Sequence, residues 1–370
     1  MAYSTYGRGF ALAGLVAAVG AIAWCFGDLP GGPLDQSPGA IPVAGAAELP
    51  AQPLALLTSG GGDWLNARPL PPQALRGKVI LVNFWTYSCI NSLRPLPYLR
   101  DWAAKYGKDG LLVVGVHTPE FAFEKDPANV RRALTDLGVD WPVMLDSDYA
   151  TWQKFGNDGW PGFYFIDAKG RVRNHKLGEG GYEASERLLQ QLLSEAKGQP
   201  VTAPLTRDIG RGIEAAPDWD DLSSPETYVG YLKADRLAAP QRFRRNGSFA
   251  YTAPVSIDPD EWGFGGQWTV GGEYARADAP SATIDYRFQA RDLHLVLGAR
   301  TDGKPARFRV TLDGLPPGAD HGVDIDANGF GQVTGDRLYQ LIRQSGRISP
   351  RKFRIEFLDD GARAYVFTFG

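Results

Sequence analysis

The sequence predicts two folded regions of different class behind an apolar N-terminal segment: an α/β domain over residues 59–198 and an all-β sandwich over residues 223–370. Three observations predict this. In the first region, apolar runs of strand length are separated by stretches with helical spacing of apolar residues. In the second, alternation with period two recurs at short intervals between turn residues. At the start, residues 10–26 (FALAGLVAAVGAIAWCF) form 17 residues without a charge.

The N-terminal run stands at the lower edge of the ~17–25 residues that a spanning helix needs. Arg8 precedes it and Asp28 follows it, a polarity that places the N-terminus inside and the rest outside. Residues 1–27 therefore read as a signal anchor or as a cleavable signal peptide with Ala21-Ile22-Ala23 as its processing site. Either way the remainder is expected outside the cytoplasm, held at the inner membrane if the segment is retained. Residues 28–58 are rich in Pro, Gly and Ala and read as a linker, too poor in large apolar side chains to fold alone.

Composition excludes several classes. Net charge is -3 with no basic excess, so nucleic acid is not an expected partner. The two cysteines, Cys25 and Cys89, cannot build a disulfide framework, since Cys25 lies in the apolar segment. The four histidines are scattered, so neither a metal site nor a cofactor is expected.

Within the α/β region, residues 78–85 (KVILVNFW) have the composition of a strand buried on both faces. The run breaks at Thr86-Tyr87-Ser88-Cys89, and Leu93, Leu96, Leu99 and Trp102 then recur every three residues, with Pro95 and Pro97 expected to start or kink the helix. Cys89 is thus predicted at a strand-to-helix junction, where unpaired N–H groups favour an anion and where a thiolate is the nucleophile of exchange chemistry. Residues 110–116 predict a second buried strand ending at His117. Residues 129–137 predict a helix, 142–145 a short extended piece and 149–155 a helical turn or two. Residues 163–167 predict a strand that turns at Asp167-Ala168-Lys169-Gly170 into residues 171–173, and 183–196 a final amphipathic helix. His117 and Glu120, at the end of a central strand, are candidates for moving a proton near Cys89, or else a loop-capping histidine and a solvated glutamate.

Residues 62–196 resemble the TlpA-like and DipZ-like branch of the thioredoxin superfamily through LRGKVILVNFWTYSCINSLRPLPYLR, GVHTPEFAFEKD, DYATWQKFGNDGWPGFYFIDAKGRVR and GEGGYEASERLL. The resemblance implies a thioredoxin-like fold with thiol–disulfide chemistry. It implies that Cys89 is the attacking cysteine of the C-x-x-C motif, that Pro161 is the cis-proline facing it, and that Trp85 leads into the motif. Trp160 beside Pro161 would then form part of a rim that packs on a partner, or part of the core. One position departs from the family: Ser92 stands where the second cysteine belongs. A resolving thiol is missing, so release of a mixed disulfide would need an external thiol. A Ser92 hydroxyl is expected to bond the Cys89 sulfur. The acid sometimes found beneath such motifs is expected to be absent, because Asn83 occupies that strand.

Three functional readings follow. The first is a monothiol protein forming mixed disulfides with envelope proteins or small thiols. The second is a one-cysteine peroxidase, suggested by Thr86 three residues before Cys89, with Arg94 as a cation. The third is a redox-inactive thioredoxin fold that only binds partners.

Residues 199–222 read as a linker. After residue 223 the alternation of Ile284-Tyr286-Phe288, Leu293-Leu295-Leu297, Phe308-Val310-Leu312, Phe353-Ile355-Phe357 and Tyr365-Phe367-Phe369 predicts antiparallel strands, with one helical piece at 337–343. SPETYVGY, ARDLHLVLG, FRVTLDG, RLYQLIRQ and AYVFTFG resemble the C-terminal extension of DipZ-like proteins, which implies a jelly-roll domain similar to carbohydrate-binding modules. On that resemblance Trp262, Trp268 and Tyr274 are candidates for an aromatic platform that holds a glycan, or for core residues.

Overall fold

The computed structural model describes residues 53–59, 63–207 and 209–370. The expectations for the N-terminal segment, for Cys25 and for most of the first linker lie outside the described residues. No helix among the described residues is long and apolar enough to cross a membrane.

The first domain is an α/β layer built on a six-stranded sheet. Its strands are β1 (Trp64–Leu65), β2 (Val79–Trp85), β3 (Leu111–His117), β4 (Val143–Leu145), β5 (Gly162–Ile166) and β6 (Val172–Leu177). Their spatial order is β1-β4-β3-β2-β5-β6. β2, β3 and β4 run parallel, and β5 and β6 return antiparallel as the hairpin expected around Gly170. Every residue of β2 is buried because helices cover both faces of the sheet, which is why the strand reads as a continuous apolar run. The helices are α1 (Pro53–Ser59), α2 (Pro72–Leu75), α3 (Ile90–Leu93), α4 (Leu96–Tyr106), α5 (Pro127–Asp136), α6 (Ala150–Phe155) and α7 (Tyr182–Lys197). α3 and α4 are separate because Pro95 and Pro97 carry no N–H to continue the ladder. α5 starts where Asp126 accepts the Ala128 N–H (2.8 Å) and Pro127 fixes the first helical turn. This is the thioredoxin-like plan.

The second domain is a large, curled antiparallel sheet folded over one core. Its strands are β7 (Thr227–Tyr228), β8 (Ser248–Tyr251), β9 (Trp262–Val270), β10 (Ala275–Ala277), β11 (Ala282–Phe288), β12 (Asp292–Gly298), β13 (Ala306–Leu312), β14 (Phe330–Val333), β15 (Arg337–Arg343), β16 (Arg351–Phe357) and β17 (Arg363–Phe369). The main path runs β14-β13-β16-β11-β9-β10-β17-β12-β15. β9 is the corner. Trp262–Gly265 pair with β11, and Gly266 onward pair with β8 and then β10. Gly266 sits at φ +82°, and a Cβ there would stand 3.0 Å from the Ala282 Cα, so the turn from one layer to the other requires glycine. Facing layers meet through Tyr286–Phe367 and Phe353–Phe367, with ring centroids 5.1 and 5.9 Å apart.

Residues 337–343 form strand β15, not the expected helix. Tyr339 and Leu341 face the sandwich core, while Leu338 packs into the core of the first domain. With both faces covered, the polar-out signal of a strand is lost, and Leu338 and Leu341 mimic helical spacing. The same covering explains β12. Leu293, Leu295 and Leu297 point into the sandwich, and Val296, on the other face, joins the first domain's core with Val366, Tyr365, Tyr87, Leu93, Phe121 and Phe123. The two domains therefore share one continuous apolar interface.

Replacing Gly266 by alanine is expected to lower stability by about 1–3 kcal/mol through strain at positive φ and the backbone clash. Denaturant unfolding checks this; a midpoint equal to wild type would mean that β9 does not depend on that corner.

Candidate functional site

The site begins where β2 ends. Trp85, the last residue of β2, is fully buried and packs edge-on against His117 at 5.6 Å. Gly115 leaves room for its indole, whose Nε1 lies 3.1 Å from where a Cβ would stand. Thr86 to Ser88 then cross the carboxyl end of the sheet, and Cys89 caps α3, its carbonyl accepting the Ser92 and Leu93 N–H groups at 2.9 and 3.2 Å. Before β5 the chain makes a cis bond between Trp160 and Pro161. Cys89 and Trp160 belong to the same buried cluster, which also holds Phe84 and Trp152. The sulfur-bearing residue is 2 % exposed. It shares that cluster with Trp160 of the proline loop, and the packing around it closes it to solvent.

Ser92 is buried, and its hydroxyl accepts the Thr86 N–H at 3.4 Å. It ties the helix to the end of β2. Among the described residues it makes no hydrogen bond to the Cys89 sulfur, contrary to expectation. The Thr86 hydroxyl lies 3.5 Å from His117 Nε2.

His117 does not have the character of a proton shuttle. It is wholly buried, sandwiched between Trp85 and the Tyr87 ring that stacks on it at 5.6 Å, and burial holds its pKa down to about 3. The imidazole is neutral across the physiological range. Glu120 is committed to the second domain. Its carboxylate accepts the Tyr228 hydroxyl and pairs with Lys233 Nζ at 3.2 Å, joining the first domain to the second.

The carboxyl group that does serve this site is Glu124, which sequence reasoning missed. It sits on a 3-10 turn, Ala122–Lys125, and is 1 % exposed. One oxygen accepts the Ser88 hydroxyl (2.5 Å) and the Ser88 N–H (3.3 Å), next to Cys89 in the chain. The other accepts the backbone N–H groups of Glu120 and Phe121. Burial pushes its pKa up to about 7, against the hydrogen bonds from Ser88 and Thr86 that pull it down; the Glu120 charge adds to the rise. The expected absence of a buried acid is thus corrected: Asn83 fills the usual strand position, and Glu124 reaches in from the other loop. A glutamate in a polar turn gives no burial signal in the sequence, because a 3-10 turn has no long apolar period.

Trp160 is core, not rim. It is 5 % exposed, its Nε1 donates to the Thr118 carbonyl at 3.0 Å, and it packs on Trp152 at 4.6 Å. Arg94 is 3 % exposed and bound to Glu179 (2.7 Å) and the Phe369 carbonyl (2.8 Å). The aromatic platform in the second domain does not form. Trp262 and Trp268 are fully buried, with Nε1 groups donating to the Asp235 and Gly265 carbonyls at 2.7 and 2.9 Å. Tyr274 is half-buried against Tyr365, 5.4 Å between centroids. No cluster of metal-ligating side chains occurs among the described residues.

The comparisons with known proteins agree with this geometry. The Redoxin family model matches residues 68–192, and the Thioredoxin like C-terminal domain model matches residues 224–370. Thiol-disulfide oxidoreductase YkuV of Bacillus subtilis (strain 168) is 30% identical over 146 residues, 40% of this chain and 97% of YkuV. The chain belongs to the thioredoxin-like redoxin family. Protein DipZ of Mycobacterium tuberculosis (strain CDC 1551 / Oshkosh) is 35% identical over 338 residues, 88% of this chain. This redoxin spans 44% of the length of DipZ. Protein SUPPRESSOR OF QUENCHING 1, chloroplastic, of Arabidopsis thaliana is 35% identical over 179 residues, 47% of this chain and 16% of that protein.

Glu124 gives a signed pH prediction. Its proton is held more tightly in the folded chain, to about 7 against an ordinary 4.5, so its contribution to stability is full below pH 4.5 and is lost as pH rises through 7. The loss is about 3 kcal/mol. Glu124→Gln should lack that component, and the stability difference between wild type and variant should narrow from pH 5 to pH 8. Chemical denaturation at both pH values checks this; a difference independent of pH contradicts it.

Proposed function

We propose that the chain is an exported, monothiol member of the redoxin family that forms mixed disulfides through Cys89 with envelope proteins or small thiols. The observation that carries the reading is the pairing at the site: Cys89 caps α3 beside the cis Trp160–Pro161 loop, and Ser92 replaces the second thiol. A Cys89 thiolate attacks one sulfur of a partner disulfide. The Cys89–partner S–S bond forms, the partner's own S–S bond breaks, and its second sulfur leaves as thiolate. Ser92 cannot attack the new bond, so an external thiol must take the partner sulfur and return Cys89 as thiolate. Export is supported by the apolar run at 10–26 and the charge order around it.

The 2 % exposure of Cys89 favours a second reading, a fold that binds partners without exchanging disulfides. In the first reading the side chains over the sulfur move aside when a partner strand enters. The peroxidase reading loses its cation, because Arg94 is committed to Glu179 and Phe369.

The test uses Cys25→Ser protein and an alkylating reagent, with capture of disulfide-linked partners. The expected result is alkylation of Cys89 in the native state and adducts that persist until a thiol is added. Ser92→Cys should shorten adduct lifetime at least tenfold by supplying the resolving thiol. If Cys89 reacts only after denaturation and no adducts form, the binding-module reading stands instead.

A further inference from the structure

A cleft of about 520 Å³ opens between the two domains, lined by one face of α5, by the start of β15 and by Tyr87 and Leu93 from either side of Cys89. Its volume falls within the ~300–1,000 Å³ of small-molecule sites. Its walls are largely apolar, with Leu93, Leu137, Ile213 and Leu338 among them. The charged groups divide into two sets. Asp324 is held by Arg337 at 2.6 Å and Asp336 by Arg363 at 2.8 Å, so both charges are balanced within the protein. Arg132 and Asp136 form the other set. They stand one turn apart on α5 and, among the described residues, make no close ion pair or hydrogen bond, although Arg132 feels the charge of Asp336 and Asp136 that of Arg337 from the opposite wall.

A second observation points to a ligand. Tyr87 lines the cleft, is 4 % exposed, and its hydroxyl has no hydrogen-bond partner. A buried hydroxyl left unpaired costs about 1–3 kcal/mol. His117 and Phe123 fix the ring, so it cannot swing out to water. The ring lies within electrostatic reach of Asp336 and Arg132 in the cleft wall, so the cleft is the side from which a partner could reach the hydroxyl.

We propose that this interdomain cleft binds a short peptide with free termini and apolar side chains, its carboxylate on Arg132 and the Tyr87 hydroxyl and its ammonium group on Asp136. Residues one helical turn apart place their Cβ atoms about 5–6 Å from each other, which matches the separation of the two charges on a dipeptide. The apolar side chains lie on the leucine and isoleucine walls. The site stands apart from the chemistry of Cys89 and is present whether or not that thiol exchanges disulfides.

Calorimetric titration of the full chain with leucyl-leucine tests it, against N-acetyl-leucyl-leucine amide, which carries neither charge. The expected result is saturable one-to-one binding of the free dipeptide and binding of the blocked one weakened at least tenfold. Arg132→Gln, an exposed position, should fold normally and lose the preference for the free carboxylate. Tyr87→Phe should weaken binding about tenfold. No saturable heat with the wild-type chain, equal affinity for both dipeptides, or an unchanged preference in Arg132→Gln would each overturn the proposal. The comparison of the two dipeptides on the unmodified chain decides even if Tyr87→Phe fails to fold.

Discussion

The carboxyl group of Glu124 is the constraint around which the Cys89 loop is arranged. It lies in the interior and accepts four donors from two loops, Ser88 on one side and Glu120 with Phe121 on the other. Those loops leave the ends of β2 and β3, the two central strands. A buried carboxyl without such partners would be costly; with them it fixes the path of the chain just before the cysteine. Its titration near neutrality places a charge change within a few residues of the thiol, in surroundings that water does not screen.

The same loops also dock the second domain. Phe121 and Phe123 pack on Tyr365 at 5.0 and 4.9 Å, Glu120 holds Tyr228 and Lys233, and the Ala122 N–H donates to Glu273 at 3.1 Å. One short segment thus positions the thiol loop with Glu124 and the sandwich with its neighbours. Arg94, two residues beyond Ser92, reaches the last strand of the sandwich through the Phe369 carbonyl. A displacement of the second domain has a direct mechanical route to the Cys89 loop, and the reverse holds as well.

Much of this was legible in the sequence, for physical reasons that differ by element. β2 and β3 were plain because burial on both faces leaves a nearly continuous apolar run, interrupted only by Asn83 in β2 and by His117 at the end of β3. The paired prolines after Cys89 marked the break between α3 and α4. β15 was misread because the first domain covers its outer face and erases the alternation. The aromatic residues of β9 were open to a surface reading, since a buried tryptophan and a ligand-binding one have the same letter; only the carbonyls that accept their N–H groups decide. Glu124, His117 and Glu120 share one stretch of sequence, yet their roles depend on partners up to 113 residues away, as Lys233 is from Glu120. Spacing along the chain carries no trace of such pairings.

In the proposed function this site holds one working thiol, shielded but able to react, with no internal group to release what it captures. Intact-mass analysis of Cys25→Ser protein incubated with hydroxyethyl disulfide addresses it most directly. The expected result is one adduct per chain on Cys89, stable after removal of the reagent and lost when a thiol is added. An unmodified chain, or an adduct that disappears without added thiol, would contradict it.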